Sequence, residues 1–461
     1  MVALAALLVQ GVAYAQAGHR QTDGPNTEAS TDTVKIRSIK ELFTKGEVEG
    51  HIRNYFMATI NHKALSDNYA NAIGARIGFR TAPLHGFRFG FAGLFTYNAF
   101  SSDLAELDPI AKRLPRNELE LFDIQNPSNR SDLDRLDELY LEYRSEKLFA
   151  QAGRISFTSP LINPQDTRMK PYAAQGVQLQ IPIQDQHNLT LAWLDHFSPR
   201  STVEWVKAEE SIGIYPTGVN PDGSPSEYEH HTNTKGVGIA GLKSTFGDKL
   251  QTEVWDYLIE NVSNNLYGKA NLALNEKVSV GLEGLYQSKV GTGGNEEEDK
   301  RYFAQENQWL IGSQLAYMPS SDIKLSLNYL HLGDGGRFLF PREWGREQFF
   351  VTQPRGRFEG SGKADVLNLR VLKKWSDNLS VEAGITKAWL PALENAALNK
   401  YRQPSYLGFV LDTQYAPKKP VLDGLSFRLL YVGRTSQNVP LPDMYYRTNF
   451  HQINFVTQIT F

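Results

Sequence analysis

The chain has 461 residues, with 48 Lys and Arg against 51 Asp and Glu, and this near balance of charge gives no support for a nucleic-acid partner. It contains no cysteine, which excludes a disulfide framework, a thiolate zinc site and a cysteine nucleophile. Aromatic residues at 11%, 37 glycines and only 41% hydrophobic residues are typical of many short strands and turns rather than of a large apolar core.

The N-terminal region predicts export from the cytoplasm. Residues 1–15 are interpreted as a signal peptide, because Val2 to Val9 is apolar and Ala13-Tyr14-Ala15 has the small-x-small pattern of a signal-peptidase site. No Lys or Arg precedes the apolar run, which favours a true start codon upstream. Residues 16–46 are predicted to form a polar, partly disordered leader. No other stretch reaches the 18 or so consecutive apolar residues that a transmembrane helix requires.

From Glu47 to the C-terminus, apolar and polar side chains alternate with the period of a strand. In the first such segment Ile52, Phe56 and Ile60 share one side. The pattern predicts eighteen strands, near 47–60, 69–81, 87–99, 137–145, 148–156, 174–182, 189–198, 236–244, 250–260, 264–274, 278–288, 309–318, 323–331, 363–373, 379–389, 406–415, 425–433 and 448–461.

The final strand is the most informative, because it has one apolar face, one polar face and an aromatic end. Ile453 and Phe455 alternate with Gln452 and Asn454, and the chain stops at Phe461. This pattern is typical of bacterial outer-membrane β-barrels, and it predicts that Phe461 and its strand bind the barrel-assembly machinery.

The connections between strands alternate in length, which a soluble sandwich has no reason to do. Short turns are expected at 82–86, 145–147, 183–188, 245–249, 275–277, 319–322 and 374–378. The connections between them are mostly long, near 100–136, 157–173, 199–235, 289–308, 332–362, 390–405 and 434–447. Residues 47–461 are therefore predicted to be an all-β, transmembrane, antiparallel β-barrel of about eighteen strands in the outer membrane, with short periplasmic turns and long extracellular loops.

A secreted repetitive all-β protein is the alternative to a membrane barrel, since its half-buried strands would alternate in the same way. Aromatic residues near strand ends favour the membrane, whose interfaces hold aromatic belts. They are Trp193, Trp255, Trp309, Trp389 and Tyr431.

If the apolar strand faces meet lipid, the opposite faces line a lumen that is rich in cations. The inward basic set is Arg53, Arg76, Arg80, Arg88, Arg144, Arg154, Lys324, Arg370 and Arg428. The inward acids are Glu142, Glu283 and Glu382. A row of guanidinium groups would pass a carboxylate from one contact to the next, and the acids suit a solute's ammonium group. The alternative is that these charges pair across strands and only brace the wall.

The segment that joins the fifth and sixth strands carries a resemblance to a known family. Gly153-Arg154 is followed by Ser159-Pro-Leu-Ile-Asn163, Asp166-x-Arg168-Met-x-Pro171 and Gly176. This order is similar to the third-loop region of OprD-type porins, the substrate-specific channels of Gram-negative outer membranes. The runs Gly50-His-Ile-Arg-Asn-Tyr-Phe56 and Pro354-Arg-Gly-Arg-Phe-Glu359 also resemble that family.

The resemblance implies an eighteen-stranded monomeric or loosely trimeric barrel, so a homotrimer is one expectation. It also implies that the third and seventh loops fold inward and narrow the pore. The constriction candidates that it gives are Asp166, Arg168, Arg154, Arg346, Glu347, Arg355 and Arg357. The second loop, near 100–136, and the Glu-rich sixth loop at Glu296-Glu-Glu-Asp299 match no family feature.

Two possible metal sites receive little support. His230 and His231 lack a spacing that fixes zinc geometry, and a solvated loop is favoured. The acids Asp132, Asp134, Asp137 and Glu138 could bind calcium, but a short amphipathic helix before the fourth strand is favoured there.

The predicted function is a porin that needs no cofactor or metal and performs no chemistry. Its solutes are expected to be small carboxylates, amino acids or short peptides, anionic or zwitterionic, and its other partner is membrane lipid. The alternatives are an adhesin or barrel subunit of a larger outer-membrane complex, and an outer-membrane hydrolase whose Ser, His and Asp come from separate strands.

Overall fold

The computed structural model describes residues 36, 38–62, 65–165, 168–436 and 448–461. The signal-peptide prediction and Asp166 lie outside the described residues. Eighteen strands form the barrel within them: β1 (Glu47–Asn61), β2 (Asn68–Arg80), β3 (Phe87–Ser101), β4 (Arg135–Arg144), β5 (Phe149–Ile155), β6 (Ala173–Ile183), β7 (His187–Ser198), β8 (Val237–Phe246), β9 (Leu250–Ile259), β10 (Ser263–Ala273), β11 (Val278–Lys289), β12 (Asn307–Ser320), β13 (Ile323–Leu332), β14 (Ala364–Ser376), β15 (Leu379–Trp389), β16 (Tyr406–Tyr415), β17 (Leu425–Ser436) and β18 (Phe450–Thr460).

The sheet closes on itself. Each strand pairs antiparallel with its neighbours in the chain, and β18 pairs with β1 from Thr460 opposite His51 to Phe450 opposite Asn61. A two-residue strand, Val206–Lys207, adds a short pairing to the end of β7. The prediction of an eighteen-stranded antiparallel barrel is confirmed.

The barrel has its polar side chains inside and its apolar side chains outside. In β18 the side chains of Gln452 and Asn454 are fully buried, whereas Ile453 and Phe455 are each 41% exposed. Since successive side chains of a strand point to opposite faces, this alternation defines one apolar outer surface and one polar inner wall.

The loops differ at the two ends of the barrel, as the sequence predicts. One end carries short connections such as 184–186 and 321–322. The turn before β17 needs glycine, because Gly424 has φ +75° and a Cβ atom there would lie 2.1 Å from the Thr460 carbonyl oxygen. The other end carries the outer loops, which we number in chain order. Four of them form the site described below: L2 (102–134), L3 (156–172), L4 (199–236) and L7 (333–363).

The helices of the described chain are short. They are α1 (Ile39–Thr44), α2 (Arg116–Leu119), α3 (Ala208–Ser211) and the 3-10 turns Glu298–Lys300, Arg342–Trp344 and Pro420–Leu422. No helix in the described ranges is long and apolar enough to cross a membrane.

The helix predicted near Asp132 and Asp134 is wrong, since β4 begins at Arg135. Asp137 accepts a hydrogen bond from the Arg135 guanidinium at 2.5 Å, and Glu138 lies 2.8 Å from the guanidinium of Arg76. Both consecutive acids face inward, because the pairing of β3 with β4 has a β-bulge between Ala92 and Gly93 that leaves Asp137 without an opposite residue.

Apolar packing fills part of the barrel interior with loop residues. The larger cluster joins L3, L4 and L7 to the inner faces of β4 to β16, and it includes Phe157, Phe197, Phe340 and Trp344. Trp255 also belongs to it, at 1% exposure. Its predicted place in an outer aromatic belt is therefore wrong, whereas Trp193, Trp309 and Trp389 are 41–47% exposed on the outer face.

The outer face should tolerate loss of packing better than gain of charge. Leu327 is 46% exposed near the middle of β13, between Leu315 and Leu369 on the adjacent strands. We expect Leu327→Arg to lower the free energy of unfolding in lipid vesicles by about 2–4 kcal/mol, because a cation on the lipid face is desolvated. Urea titration of the folded barrel measures this cost, with Leu327→Ala as the control for lost packing. Equal costs for the two variants would contradict a lipid-facing surface.

Candidate pore constriction

Most of the predicted basic residues lie on the inward faces of their strands. Each shares a face with buried residues of the same strand. They are Arg53, Arg76, Arg80, Arg88, Arg144, Lys324, Arg370 and Arg428. The predicted acids Glu142, Glu283 and Glu382 also face inward.

Arg154 is the exception, and its predicted place in the lumen is wrong. It lies opposite Leu139 in the β4–β5 pair, and Leu139 is 40% exposed on the outer surface. Directly opposite residues of an antiparallel pair point to the same side, so Arg154 points away from the lumen. Its guanidinium lies 4.5 Å from the ring centre of Trp205 and donates a hydrogen bond to the Leu136 carbonyl.

Four of the inward cations have carboxylate partners and brace the wall. Arg76 lies 3.2 Å from Glu49 and 2.8 Å from Glu138. Arg428 donates two hydrogen bonds to the Asp412 carboxylate, at 2.8 and 2.6 Å. The other two pairs are Arg80 with Glu47 at 2.9 Å and Arg144 with Glu142 at 3.5 Å. For these positions, the bracing alternative accounts for the charge.

Arg53 and Arg370 have neutral partners instead. Arg53 donates to the side-chain oxygen of Gln458 at 2.9 and 2.6 Å and also to the Arg168 carbonyl. Arg370 donates to the Phe350 carbonyl at 3.1 Å. A carbonyl or amide oxygen orients a guanidinium without cancelling its charge, so both residues keep their positive field.

Arg88 and Lys324 are also cations without a carboxylate at ion-pair distance among the described residues. Glu382 is a charge neighbour of Lys324 and of Arg370. The strands β13 to β15 therefore place two cations and one acid on the same stretch of inner wall.

L7 runs along the inner wall and is held there by strand side chains. Gln287 of β11 accepts from the Leu339 amide at 3.1 Å and donates to its carbonyl at 2.7 Å. Glu283 of β11 accepts from the Phe350 amide at 2.7 Å, and Tyr267 donates to the same carboxylate at 3.0 Å. Glu283, which the sequence assigns to solute binding, thus fixes a loop.

Arg355 attaches L7 to the seam of the barrel, where β1 pairs with β18. Its guanidinium donates to Gln452 at 2.7 Å and to Asn454 at 3.0 Å, both on β18, and to the Tyr55 hydroxyl of β1 at 3.2 Å. This predicted constriction residue therefore lies against the inner wall, where β1 and β18 meet.

The other L7 candidates mainly hold the loops together. Arg346 donates to the side chain of Gln165 in L3 at 3.0 Å. Glu347 accepts from the Phe358 amide at 2.5 Å, and Arg357 donates to carbonyls of its own loop, the nearer at 2.9 Å. Burial lowers the pKa of Arg357, with the nearby guanidinium of Arg200 as the next cause.

Arg168 of L3 is 1% exposed and belongs to a charge cluster that the sequence did not predict. Its guanidinium contacts Glu120 of L2, and Arg200 of L4 contacts the same carboxylate at 2.8 Å. One signal in the sequence could have identified the missed residues. Leu119 to Phe122 is an apolar run interrupted only by Glu120, and a fully solvated loop has no need of such a run.

Glu118 of L2 reaches the wall itself. Its carboxylate accepts a hydrogen bond from the Thr59 hydroxyl of β1, and Gln452 of β18 donates to that hydroxyl at 3.0 Å. Burial raises the pKa of Glu118 to about 7, against the opposing effects of the Thr59 hydrogen bond and of the Arg168 and Arg355 charges. L2 thus meets the barrel seam beside Arg355.

No family model and no curated protein matches the sequence. Solved structures do match. OccAB4 of Acinetobacter baumannii is 15% identical with a TM-score of 0.68, and the match covers 90% of this chain and 98% of that chain. OccK9 (OpdG) of Pseudomonas aeruginosa is 12% identical with a TM-score of 0.70, over 91% and 100% of the two chains. Pseudomonas aeruginosa OpdK, solved with vanillate, is 13% identical with a TM-score of 0.67, over 91% and 99%.

These neighbours are OprD-family porins, so the predicted resemblance to that family is confirmed at the level of the fold. At these identities the comparison establishes the barrel and its topology.

The raised pKa of Glu118 predicts a pH dependence of L2. The folded chain keeps the Glu118 proton up to about pH 7, whereas the undocked loop loses it near 4.5, the ordinary pKa of a glutamate. Docking of L2 therefore weakens as the pH rises between these values. Over this pH range, the free energy of docking L2 changes by on the order of 3 kcal/mol.

Hydrogen exchange of the Leu121 and Phe122 amides measures the docking of L2, because both amides donate hydrogen bonds within the α2 turn. We expect exchange in wild type, relative to Glu118→Gln at the same pH, to quicken between pH 5 and pH 8. A constant ratio would contradict the raised pKa.

Proposed function

We propose that the protein is an outer-membrane porin through which small solutes diffuse passively, with a preference for solutes that bear a carboxylate. The observation that carries this proposal is a set of four inward cations with no carboxylate at ion-pair distance within the described ranges, namely Arg53, Arg88, Lys324 and Arg370. They lie on the same inner wall that holds L7, and Arg53 also contacts L3.

The electrostatic reasoning follows from the partners of these cations. A guanidinium held by carbonyl and amide oxygens is oriented and still fully charged, so a passing carboxylate can form a charge-assisted hydrogen bond with it. Several such positions at different heights allow the solute to move from one to the next, without a single deep binding site that would slow release.

The inward acids refine the solute class. Glu382 neighbours both Lys324 and Arg370. A zwitterion could place its carboxylate on the cations and its ammonium group near Glu382, which supports amino acids and short peptides as solutes. The vanillate present in the OpdK structure is an aromatic carboxylate, and it supports adding aromatic acids to the class.

We also propose that the C-terminal residue serves assembly of the barrel. The Phe461 side chain is 56% exposed, while its backbone amide and carbonyl pair with Gly50 at 3.0 and 2.9 Å. The aromatic ring is therefore held at the rim of the barrel, where assembly machinery could contact it.

Reconstitution into a planar bilayer tests the porin proposal. We expect stepwise, ohmic conductance from the purified chain alone and swelling of protein-loaded liposomes in benzoate. A hydrolase would release lipid or peptide products without conducting, and a subunit of a larger complex would conduct only after its partner is added. Either result would overturn the proposal.

The wall cations should discriminate between charged and neutral solutes. We expect Lys324→Gln to slow benzoate entry into liposomes by about two- to fivefold, because one charge in a partly dehydrated passage is removed, and to leave benzyl alcohol entry unchanged. Arg154→Gln is the matched control, since Arg154 faces outward and its loss should alter neither rate. Equal slowing of both solutes by Lys324→Gln would indicate sieving rather than charge selection.

A further inference from the structure

L2 lies inside the barrel, although its sequence matches no feature of the resembled family. Leu121 and Phe122 are at most 1% exposed and pack with Tyr55 and Met57, which face inward from β1. Met169 of L3 belongs to the same cluster. Because this apolar packing seats L2 on the inner wall, the charged residues of the loop are held within the lumen.

Glu120 joins three loops through one carboxylate. It contacts Arg168 of L3, lies 2.8 Å from Arg200 of L4, and lies 3.9 Å from Arg116, one turn earlier in L2. Its own carbonyl accepts a hydrogen bond from the Ser201 hydroxyl of L4. One carboxylate therefore contacts guanidinium groups from L2, L3 and L4.

Arg116 is the member of this cluster that water reaches. Its side chain is 60% exposed, against 2% for Arg168 and 9% for Arg200. It is nevertheless surrounded by protein, and this enclosure, followed by the charge of Arg342, lowers the pKa of Arg116 to about 10. The further charge neighbours of Arg116 are Glu120, Arg357 of L7 and Arg434 of β17. An exposed side chain whose charge neighbours lie on L2, L7 and β17 faces the space between these elements.

We propose that L2 is a third constriction loop beside L3 and L7, and that its Glu120–Arg116 pair sets the charge that a solute meets there. Arg116 is the solute-facing specificity residue, and Glu120 is the positioning residue that holds it with Arg168 and Arg200. The inference rests on the proposed porin function.

The two residues act with opposite sign, which separates a role in selectivity from a role in folding. Glu120→Gln removes one negative charge and keeps the three guanidinium groups that contact it, so the passage becomes more positive. Arg116→Gln removes the exposed cation, so the passage becomes less positive. Loss of loop structure would instead change both variants in the same direction, toward a wider and less selective pore.

Reversal potentials across a planar bilayer in a KCl gradient measure the effect. We expect Glu120→Gln to raise the ratio of chloride to potassium permeability by about twofold or more, and Arg116→Gln to lower it by a similar factor. Single-channel conductance should stay close to that of wild type in Arg116→Gln, whose side chain is largely solvated.

Two exposed residues of the same loop provide charge-matched controls, Glu106→Gln for the acid and Arg130→Gln for the cation. Neither should move the reversal potential. If wild type conducts but the Glu120 and Arg116 variants equal these controls, or shift in the same direction as each other, the L2 inference is wrong and the porin function stands. If wild type does not conduct, the proposed function itself fails.

Discussion

The structure depends on one constraint, that every strand of the sheet has a hydrogen-bonded neighbour on both sides. An unpaired amide or carbonyl in hydrocarbon costs several kcal/mol, so a sheet that meets lipid must have no free edge. The pairing of β1 with β18 meets this requirement. Once the sheet is closed, one set of alternate side chains faces outward and the other faces the lumen. The apolar outer band and the polar inner wall follow from that division.

Fold prediction from the sequence succeeds here because the determining signal is local. Whether a side chain faces lipid or lumen is set by strand parity, and parity can be counted from one turn to the next. Counting strand parity gave the number of strands and the middle strands between 250 and 274. It also gave the inward position of eight of the nine basic residues. Trp255 shows its limit, because an aromatic residue near a strand end suits an inner cluster as well as an interface.

The site was less predictable, because its residues meet through contacts that are distant in sequence. Arg154 looks like a lumen residue by chemical type, yet Trp205 of L4 gives it a partner outside. Glu283 and Arg370 were correctly placed inward, but only the path of L7 shows that they hold Phe350. L2 carries no family motif, and its place inside the barrel depends on packing against β1 and L3. None of these contacts produces a periodic pattern in the sequence.

The way L7 is attached bears on how solutes would cross the barrel under the proposed function. Side chains of β11, β14 and β18 hold its backbone or its Arg355 at successive points along the wall. A loop fixed in this manner has few alternative conformations. If solutes diffuse through the barrel as proposed, they meet the same L7 surface at each encounter, and little ordering of that loop accompanies their passage.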